Sequence, residues 1–449
     1  MRRFLRLFVS VPANIEIAFA CGIRFAAVDA AFFKHNEFRD GCLHLLTTRD
    51  GNNEVLVLAW AICETESGDT YTFFATWCHE AGLSRYLNTS CVIFSDRQKG
   101  INKFHDRFRA HFGKCFRHLI ENAKAHIKGT GESFADETAW CLRKAFTKKS
   151  YFFWLTKIKA TSPKAAHYFN VLSGPHEHLY EYMMIFLRIA CHGHKTSNIV
   201  ECGNGVFVDA RWLAPYRFND KVLGWCGEKL KERVDKIIKW IEKGHILTPY
   251  CHELFQQQVL KSLCPLLCLI KSAQTCAHCA QVELAKRSGY AVVSGDGAGK
   301  LFYVQNMQKA DGEQIEVDMR DGMKSVDCCA YVRMHRQPCR HMVPIFWKFN
   351  MMNGARGVAQ CVSNFWPKWA KAVTLLQAYQ RKSVARPKLY AGKFVGDAAD
   401  RIAPPKQGVK KRGRPKKKRY RYKKQTVQSI IDKLPTVYNQ RYGAVLQFF

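Results

Sequence analysis

The chain has 449 residues, a length that predicts two or three domains with sizeable hydrophobic cores. Lysine and arginine number 70 against 37 aspartates and glutamates, so the formal net charge is +33. A field of that sign attracts polyanions, and nucleic acid or an anionic membrane surface is the usual partner. No apolar stretch reaches the roughly 18 residues of a membrane span, so no transmembrane segment is expected.

The first 20 residues faintly resemble a secretory signal. However, Arg6 and Glu16 interrupt the apolar run and no small-residue cleavage site follows cleanly, which favours folded protein. The 19 cysteines are then expected as thiols in a reducing compartment. Clusters among them indicate metal sites rather than disulfides.

Apolar runs with β-branched and aromatic residues predict an α/β sheet in the first third of the chain. The expected order is three strands, a helix, a strand and a helix, at residues 23–33, 43–48, 55–63, 71–83, 91–94 and 101–108. Residues 49–53 (Arg-Asp-Gly-Asn-Asn) carry the turn signal of a β-hairpin between the second and third strands.

The rest of the chain is predicted to alternate between helical and extended regions. Residues 132–190 are mostly helical in pattern, with Phe152, Leu155 and Ile158 as an apolar stripe. A further helix has Leu230, Val234, Ile237, Ile238 and Ile241 at helical spacing. Strand patterns return at 290–293, 301–305 and 315–317, and residues 385–409 have the composition of a linker.

Two aspartates stand at the ends of apolar strands. Asp29 ends Phe-Ala-Ala-Val-Asp, and Asp96 ends Cys-Val-Ile-Phe-Ser-Asp. Ligands bind at the carboxyl ends of strands in open α/β sheets, so the two carboxylates could share a divalent cation. Glu201 is a third candidate, and three hard oxygen ligands suit Mg²⁺ or Mn²⁺.

Structural roles compete with this interpretation. Asp29 or Asp96 alone is more often a strand-end cap than a metal ligand. Glu201 lies three residues after Asn198, which is the spacing of a capping box at a helix start. Gly203 and Gly205 also weaken a helix at that place by about 1 kcal/mol each relative to alanine.

Four sequence blocks resemble the Mutator-like (MULE-type) DNA transposases. They are residues 29–34 (Asp-Ala-Ala-Phe-Phe-Lys) with the turn at 50–53 and Glu66, residues 95–101 (Ser-Asp-Arg-Gln-Lys-Gly-Ile), residues 115–118 (Cys-Phe-Arg-His) and residues 197–204 (Ser-Asn-Ile-Val-Glu-Cys-Gly-Asn). Their order and spacing agree with the family over roughly residues 11–341.

The resemblance implies a ribonuclease H-like mixed sheet over residues 11–215 with a helical insertion at about 125–190. It also implies that Asp29, Asp96 and Glu201 form a metal-binding DDE triad. In such a site, divalent ions assist hydrolysis and transfer of DNA strands. Cys115 and His118 have the spacing of metal ligands, but a packed core pair is the favoured interpretation.

Residues 327–341 resemble a SWIM-type zinc finger. Cys329, Cys339 and His341 fit the family pattern, and thiolates with an imidazole in a closed shell favour structural Zn²⁺. The fourth ligand is open. Aligned by position, Asp327 takes the place of the first cysteine, whereas Cys328 is displaced by one residue and would point the opposite way on a regular strand.

The segment 410–424 contains 11 lysines and arginines and no acid, so it cannot pack into a core. Within it, Arg412-Gly413-Arg414-Pro415 resembles an AT-hook, which lies in a narrow A·T minor groove. The same run is typical of a nuclear localisation signal. Cys276 and Cys279, with His278 between them, lack an obvious second pair of ligands.

These features predict five regions: the sheet domain, a helical segment at 216–285, a SWIM-type zinc region at 286–350, a disordered basic tail at 385–424 and an unassigned segment at 425–449. The predicted function is a nuclear MULE-type transposase that binds double-stranded DNA, with no membrane contact and no small-molecule substrate. A homo-oligomer is compatible with this function. The alternative is a catalytically inactive remnant or host-adopted DNA- and zinc-binding regulator. Members of the resembled family usually carry a DNA-binding domain before the first aspartate, whereas only 28 residues precede Asp29 here.

Overall fold

A computed structural model describes residues 6–21, 24–96, 100–145, 147–170, 198–263, 290–296, 298–306, 314–349, 351–352, 354–380 and 389–391. The basic segment 410–424, its AT-hook-like core and Cys276, His278 and Cys279 lie outside these residues. In the described part of the chain, none of the helices is long and apolar enough to cross a membrane.

A mixed sheet of six strands, extended by a short seventh at one edge, forms the core of an α/β fold. The strands are β1 (Arg6–Ser10), β2 (Phe25–Phe32), β3 (Cys42–Arg49), β4 (Val55–Cys63), β5 (Val92–Ser95), β6 (His111–Lys114) and β10 (Leu389–Ala391). Their order across the sheet is β10-β1-β4-β3-β2-β5-β6. Strands β2, β5 and β6 are mutually parallel, whereas β3 is antiparallel to both β2 and β4.

The sheet agrees with the predicted strands and helices at its centre and adds strands at both edges. Strands β2 to β5 lie where the apolar runs predicted them, and the turn at Asp50–Asn53 joins β3 to β4. Strands β1, β6 and β10 were not predicted. The linker expected at 385–409 was wrong at residues 389–391, because these form β10 and pair antiparallel with β1.

The helices that follow and cover the sheet are α1 (Pro12–Cys21), α2 (Gly68–Glu80), α3 (Ile101–His105), α8 (Asn198–Val206), α9 (Pro215–Glu242) and α10 (Pro249–Leu263). Helix α2 begins three residues before its predicted start because Ser67 and Thr70 form a capping box there. Pro215 stands in the first turn of α9, where a proline fits without losing a hydrogen bond.

A helical subdomain lies between strand β6 and helix α8. It consists of α4 (Phe116–His126), α5 (Asp136–Arg143), α6 (Lys148–Thr161) and α7 (Pro163–Asn170). Its buried side chains, among them Phe116, Leu142, Ile158 and Phe169, form a hydrophobic cluster separate from that of the sheet. Its first helix begins nine residues before residue 125, where the family resemblance put the start of a helical insertion.

The C-terminal region packs onto the same hydrophobic core as the sheet. It has an antiparallel three-stranded sheet of β7 (Tyr290–Ser294), β8 (Leu301–Asn306) and β9 (Gln314–Asp318), as the alternation predicted. Its helices are α11 (Ala330–His335), α12 (Met342–Lys348), α13 (Gly354–Phe365) and α14 (Ala372–Gln380). Trp369 and Leu375 are buried in the shared core, so the two regions are packed together.

The β3–β4 turn is held by side chains from helices distant in sequence. The Tyr379 hydroxyl on α14 donates to the buried Asp50 carboxylate at 2.7 Å. Arg233 on α9 donates to Glu54 at 2.9 Å and to the Val55 carbonyl at 2.7 Å. Burial alone would lower the pKa of Arg233, but Tyr379, Asp50 and Glu54 together raise it, so the guanidinium stays charged.

We expect Arg233→Met to lower the free energy of unfolding by about 3–5 kcal/mol, because it leaves buried anionic groups without their cation. Lys236→Met is the matched control, since Lys236 is half-exposed and lies 3.9 Å from the same Glu54. Urea unfolding of both variants measures the difference. Equal losses of stability would contradict a special role for the buried cation.

His44 predicts a pH dependence of stability. The ring is fully buried, and burial lowers its pKa from 6.5 to about 3. The unfolded chain therefore binds a proton that the folded chain excludes, and stability is lost as the pH falls below 6.5 toward 3. His44→Gln should reduce this loss by about 1.4 kcal/mol per pH unit in urea unfolding between those limits.

The control for this prediction is His79→Gln, because His79 lies half-exposed near the end of the neighbouring helix α2. It should leave the pH dependence of the wild-type chain in place. A His44→Gln variant that loses stability with falling pH as steeply as the wild type would show that other groups carry the effect.

Candidate active site and candidate metal centre

Asp29 and Asp96 lie at the same level of two neighbouring parallel strands. The register of β2 and β5 pairs Ala27 with Phe94, and each aspartate lies two residues further along its chain. Asp29 is still within β2, whereas Asp96 follows directly after β5. The sheet therefore carries both backbone positions to one edge, at the carboxyl ends of the strands.

Helix α8 is anchored beside Asp29. The Asn204 side chain donates to the Asp29 carboxylate at 3.2 Å. Gly203 lets the helix approach β3 closely, because a Cβ atom there would lie 3.0 Å from Leu45 and 3.1 Å from Thr47. Gly203, which weakens this helix by propensity, therefore has a packing role, whereas a Cβ atom at Gly205 would meet nothing within 4 Å. The helix forms over Asn198–Val206.

Glu201 lies one helical turn before Asn204 in α8. Its backbone is therefore part of the helix that contacts Asp29 through Asn204. Its side chain is not among those that the structure describes. Among the described residues, the acidic side chains form no group of three or more that could hold a metal ion.

Glu66 is a carboxylate at this edge that the sequence pattern did not single out as a site residue. The buried Tyr71 hydroxyl donates to Glu66 at 3.0 Å. Burial raises the pKa of Tyr71, and the negative charges of Glu66, Asp96 and Asp29 raise it further. Three carboxylates therefore act on one phenol.

Gly100 brings the chain after Asp96 against the start of α2. A Cβ atom at Gly100 would lie 2.8 Å from the Tyr71 ring and 3.0 Å from the Ser67 carbonyl carbon. This close approach puts Ser67, which directly follows Glu66, beside the chain that follows Asp96. The helical spacing from Asn204 to Glu201 could have indicated Asn204 from the sequence, whereas the contact between Glu66 and Tyr71 depends on the folded arrangement of the chain.

Cys115 and His118 lie at the start of α4, directly after β6. Cys115 is buried and occupies the N-cap position of the helix. Within the part of the chain that the structure describes, the two residues belong to no group of three potential metal ligands. The packed pair that the sequence favoured stays a prediction.

A Cys₃His cluster forms the candidate metal centre. One ligand atom from each of Cys328, Cys329, Cys339 and His341 lies within 4.8 Å of all the others. The Sγ atoms of Cys328 and Cys339 are 3.4 Å apart, and Cys339 Sγ lies 3.8 Å from His341 Nδ1. Tetrahedral zinc with bonds of about 2.3 Å places its sulfur ligands about 3.8 Å apart, so the cluster could hold zinc.

The local backbone brings both adjacent cysteines to the cluster. Residues 328 and 329 form a bend before α11 rather than a strand, so the strict alternation of side chains does not apply. Asp327, the alternative fourth ligand, is exposed and forms an ion pair with Arg333 instead. Helix α12 begins directly after His341.

The electrostatics of the cluster favour thiolate at Cys329. Hydrogen bonds from Cys328 and then Cys339 lower the pKa of Cys329, whereas burial raises the pKa of Cys339 to about 12. One anionic sulfur among neutral thiols is a ready first ligand for a divalent cation. Binding of such an ion would displace the remaining protons from the ligands.

No model of a known protein family matches the chain, and a search of curated proteins found no match. The class that the structure establishes is therefore an α/β protein with a mixed sheet and a Cys₃His cluster.

We expect the purified chain to contain about one zinc ion, and Cys328→Ser to lose most of it while Asp327→Asn retains it. Elemental analysis of each variant gives the ratio of metal to protein. Cys361→Ser serves as a control because Cys361 is buried elsewhere, in α13. Loss of zinc in Asp327→Asn but not in Cys328→Ser would reverse the ligand assignment.

Proposed function

We propose that this chain is a metal-dependent DNA strand transferase of the MULE type, with Asp29, Asp96 and Glu201 as its catalytic acids. The observation that carries the proposal is the register of β2 and β5, which puts Asp29 and Asp96 side by side at the carboxyl edge of the sheet. The anchoring of α8 to Asp29 through Asn204 supports Glu201 as the third member.

The strand order also supports a ribonuclease H-like sheet. Three consecutive antiparallel strands, β2, β3 and β4, are followed by β5 and β6, which add in parallel on the other side of β2. This arrangement places β2 in the interior of the sheet. A carboxylate on β2 and one directly after β5, its parallel neighbour, then lie at the same edge, where substrates bind in open sheets.

The residues at this edge have suitable chemistry for the proposed reaction. Carboxylate oxygens are the ligands that Mg²⁺ and Mn²⁺ prefer, and Asp29, Asp96 and Glu201 would hold them. When bound, two such ions would activate the attacking oxygen and stabilise the departing one. Arg211 donates to the Phe32 carbonyl at 3.1 Å, and its guanidinium lies close enough to Asp29 to be affected by its charge.

The net charge supports DNA as the substrate. A chain with a formal charge of +33 is attracted to the phosphate backbone regardless of sequence. The segment 410–424 would add phosphate contacts, A·T minor-groove contacts and nuclear import. We propose a structural role for zinc at the Cys₃His cluster, because its four protein ligands leave no open position for substrate.

The test measures DNA nicking in Mn²⁺ by the purified chain and its variants. The substrates are supercoiled plasmid and the terminal sequences of the transposable element that would encode the chain. Asp29→Asn, Asp96→Asn and Glu201→Gln should each lower the nicking rate by at least about a hundredfold, through loss of metal-assisted catalysis. Asp106→Asn is the matched control, because Asp106 is exposed just beyond α3.

Direct binding of Mn²⁺, followed by electron paramagnetic resonance, provides a readout apart from activity. The Asp96→Asn variant should bind the ion more weakly than the Asp106→Asn control. A wild-type chain that nicks DNA no better than Asp96→Asn would contradict the proposal. Site-specific DNA binding that is unaffected by all three substitutions would instead support the non-catalytic, zinc-containing regulator.

A further inference from the structure

Helix α6 exposes two adjacent aromatic side chains. Phe152 is 56% exposed and Phe153 is 52% exposed, although the sequence pattern predicted Phe152 on a buried stripe. The buried face of α6 is formed by Tyr151 and Ile158 instead. Large apolar side chains that stay exposed together in this way are typical of a binding surface.

Lysines surround this aromatic pair. Lys148 and Lys149 precede the two phenylalanines by four residues, and Lys157 follows Phe153 by four, so all lie on one helical face. The Lys157 ammonium is 5.3 Å from the centroid of the Phe153 ring. Residues 147–170 contain five lysines and no aspartate or glutamate.

The α6 face, as we term Lys148, Lys149, Phe152, Phe153 and Lys157, stands on a rigid support. Thr147 caps the helix by accepting from the Ser150 backbone amide at 3.1 Å. The opposite side of α6 packs into the hydrophobic cluster of the helical subdomain. The two rings are therefore held on a folded helix, which limits the entropy lost when a ligand stacks on them.

We infer that the α6 face binds nucleic acid that has unpaired bases. Each phenyl ring offers a flat surface on which a base can stack, and the lysines lie where they can meet the phosphates on either side. Paired bases inside a duplex do not present their faces, so single strands or frayed ends are the expected ligand. The inference goes beyond the proposed catalysis, because it uses no residue of the acidic site.

An anionic lipid surface is the main competitor, since lysine and phenylalanine also mediate membrane contact. A helix that lies on a membrane needs a wide apolar face to insert. The remaining large apolar side chains of α6 pack instead within the helical subdomain; they are Tyr151, Trp154, Leu155 and Ile158. Two rings amid lysines fit the stacking of bases better than insertion into lipid.

The experiment compares three fluorescent ligands by anisotropy, with the full chain in buffer without Mg²⁺ or Mn²⁺. The ligands are a short oligothymidine, an abasic strand with the same number of phosphates, and a duplex of that length. The variant with both Phe152→Ala and Phe153→Ala should bind oligothymidine about tenfold more weakly and the abasic strand equally well. Phe153→Tyr should retain the wild-type affinity.

Phe19→Ala is the matched control. Phe19 is 36% exposed and lies against Arg24 and Arg85, so it is another exposed phenylalanine beside cations. Its substitution should leave the binding of oligothymidine unchanged. Because no catalytic metal is present, failure of the nicking test and failure of this one are separate results.

Equal affinity of the double alanine variant and the wild type for oligothymidine would overturn the inference. If that variant also loses binding to vesicles of phosphatidylserine and phosphatidylcholine, the face would be assigned to lipid. Circular dichroism of the variant should match the wild type, since both rings are exposed.

Discussion

The packing of this protein depends on the contacts that the buried Arg233 guanidinium makes. It joins α9 to the β3–β4 turn and, at 3.3 Å, to the Tyr379 hydroxyl of α14. A charge that is nearly excluded from water must be compensated by close anionic partners, so the three elements have to meet in one arrangement. The sheet that carries the candidate acids is thereby fixed to helices more than a hundred residues away.

The same turn also connects the sheet to the region of the Cys₃His cluster. The Gly51 carbonyl accepts from Thr248 at 2.8 Å and from the buried Cys251 thiol at 3.7 Å. Cys251 in turn accepts from Gln337, two residues before the candidate zinc ligand Cys339. A short chain of contacts therefore links the candidate zinc ligands to the turn between β3 and β4, and the two regions share a single hydrophobic core.

Local sequence patterns were sufficient for the centre of the sheet and insufficient for its edges. Strands β3, β4 and β5 are almost wholly buried, and β2 is buried over its first four residues. These apolar runs are visible in the sequence. Strand β6 reads His-Phe-Gly-Lys, and β10 has only three residues. Pairing with a neighbour distant in sequence defines such short strands, and composition carries little information about it.

The candidate sites, too, were predicted only in part by local sequence patterns. The spacing of Cys329, Cys339 and His341 indicated the metal cluster, but the choice of Cys328 over Asp327 required the bend before α11. The apolar periodicity of α6 predicted the helix, yet it assigned Phe152 to the wrong face. Periodicity identifies an apolar residue without showing whether a neighbouring element covers it.

The pairing of β10 with β1 has a consequence for how the chain reaches its folded state. Strand β1 forms hydrogen bonds with β4 on one side and with residues 389–391 on the other. During synthesis, its outer edge therefore stays open until residues 389–391 have left the ribosome. An unpaired strand edge is a template for association with other chains, so nascent molecules depend on rapid completion or on chaperones to avoid aggregation.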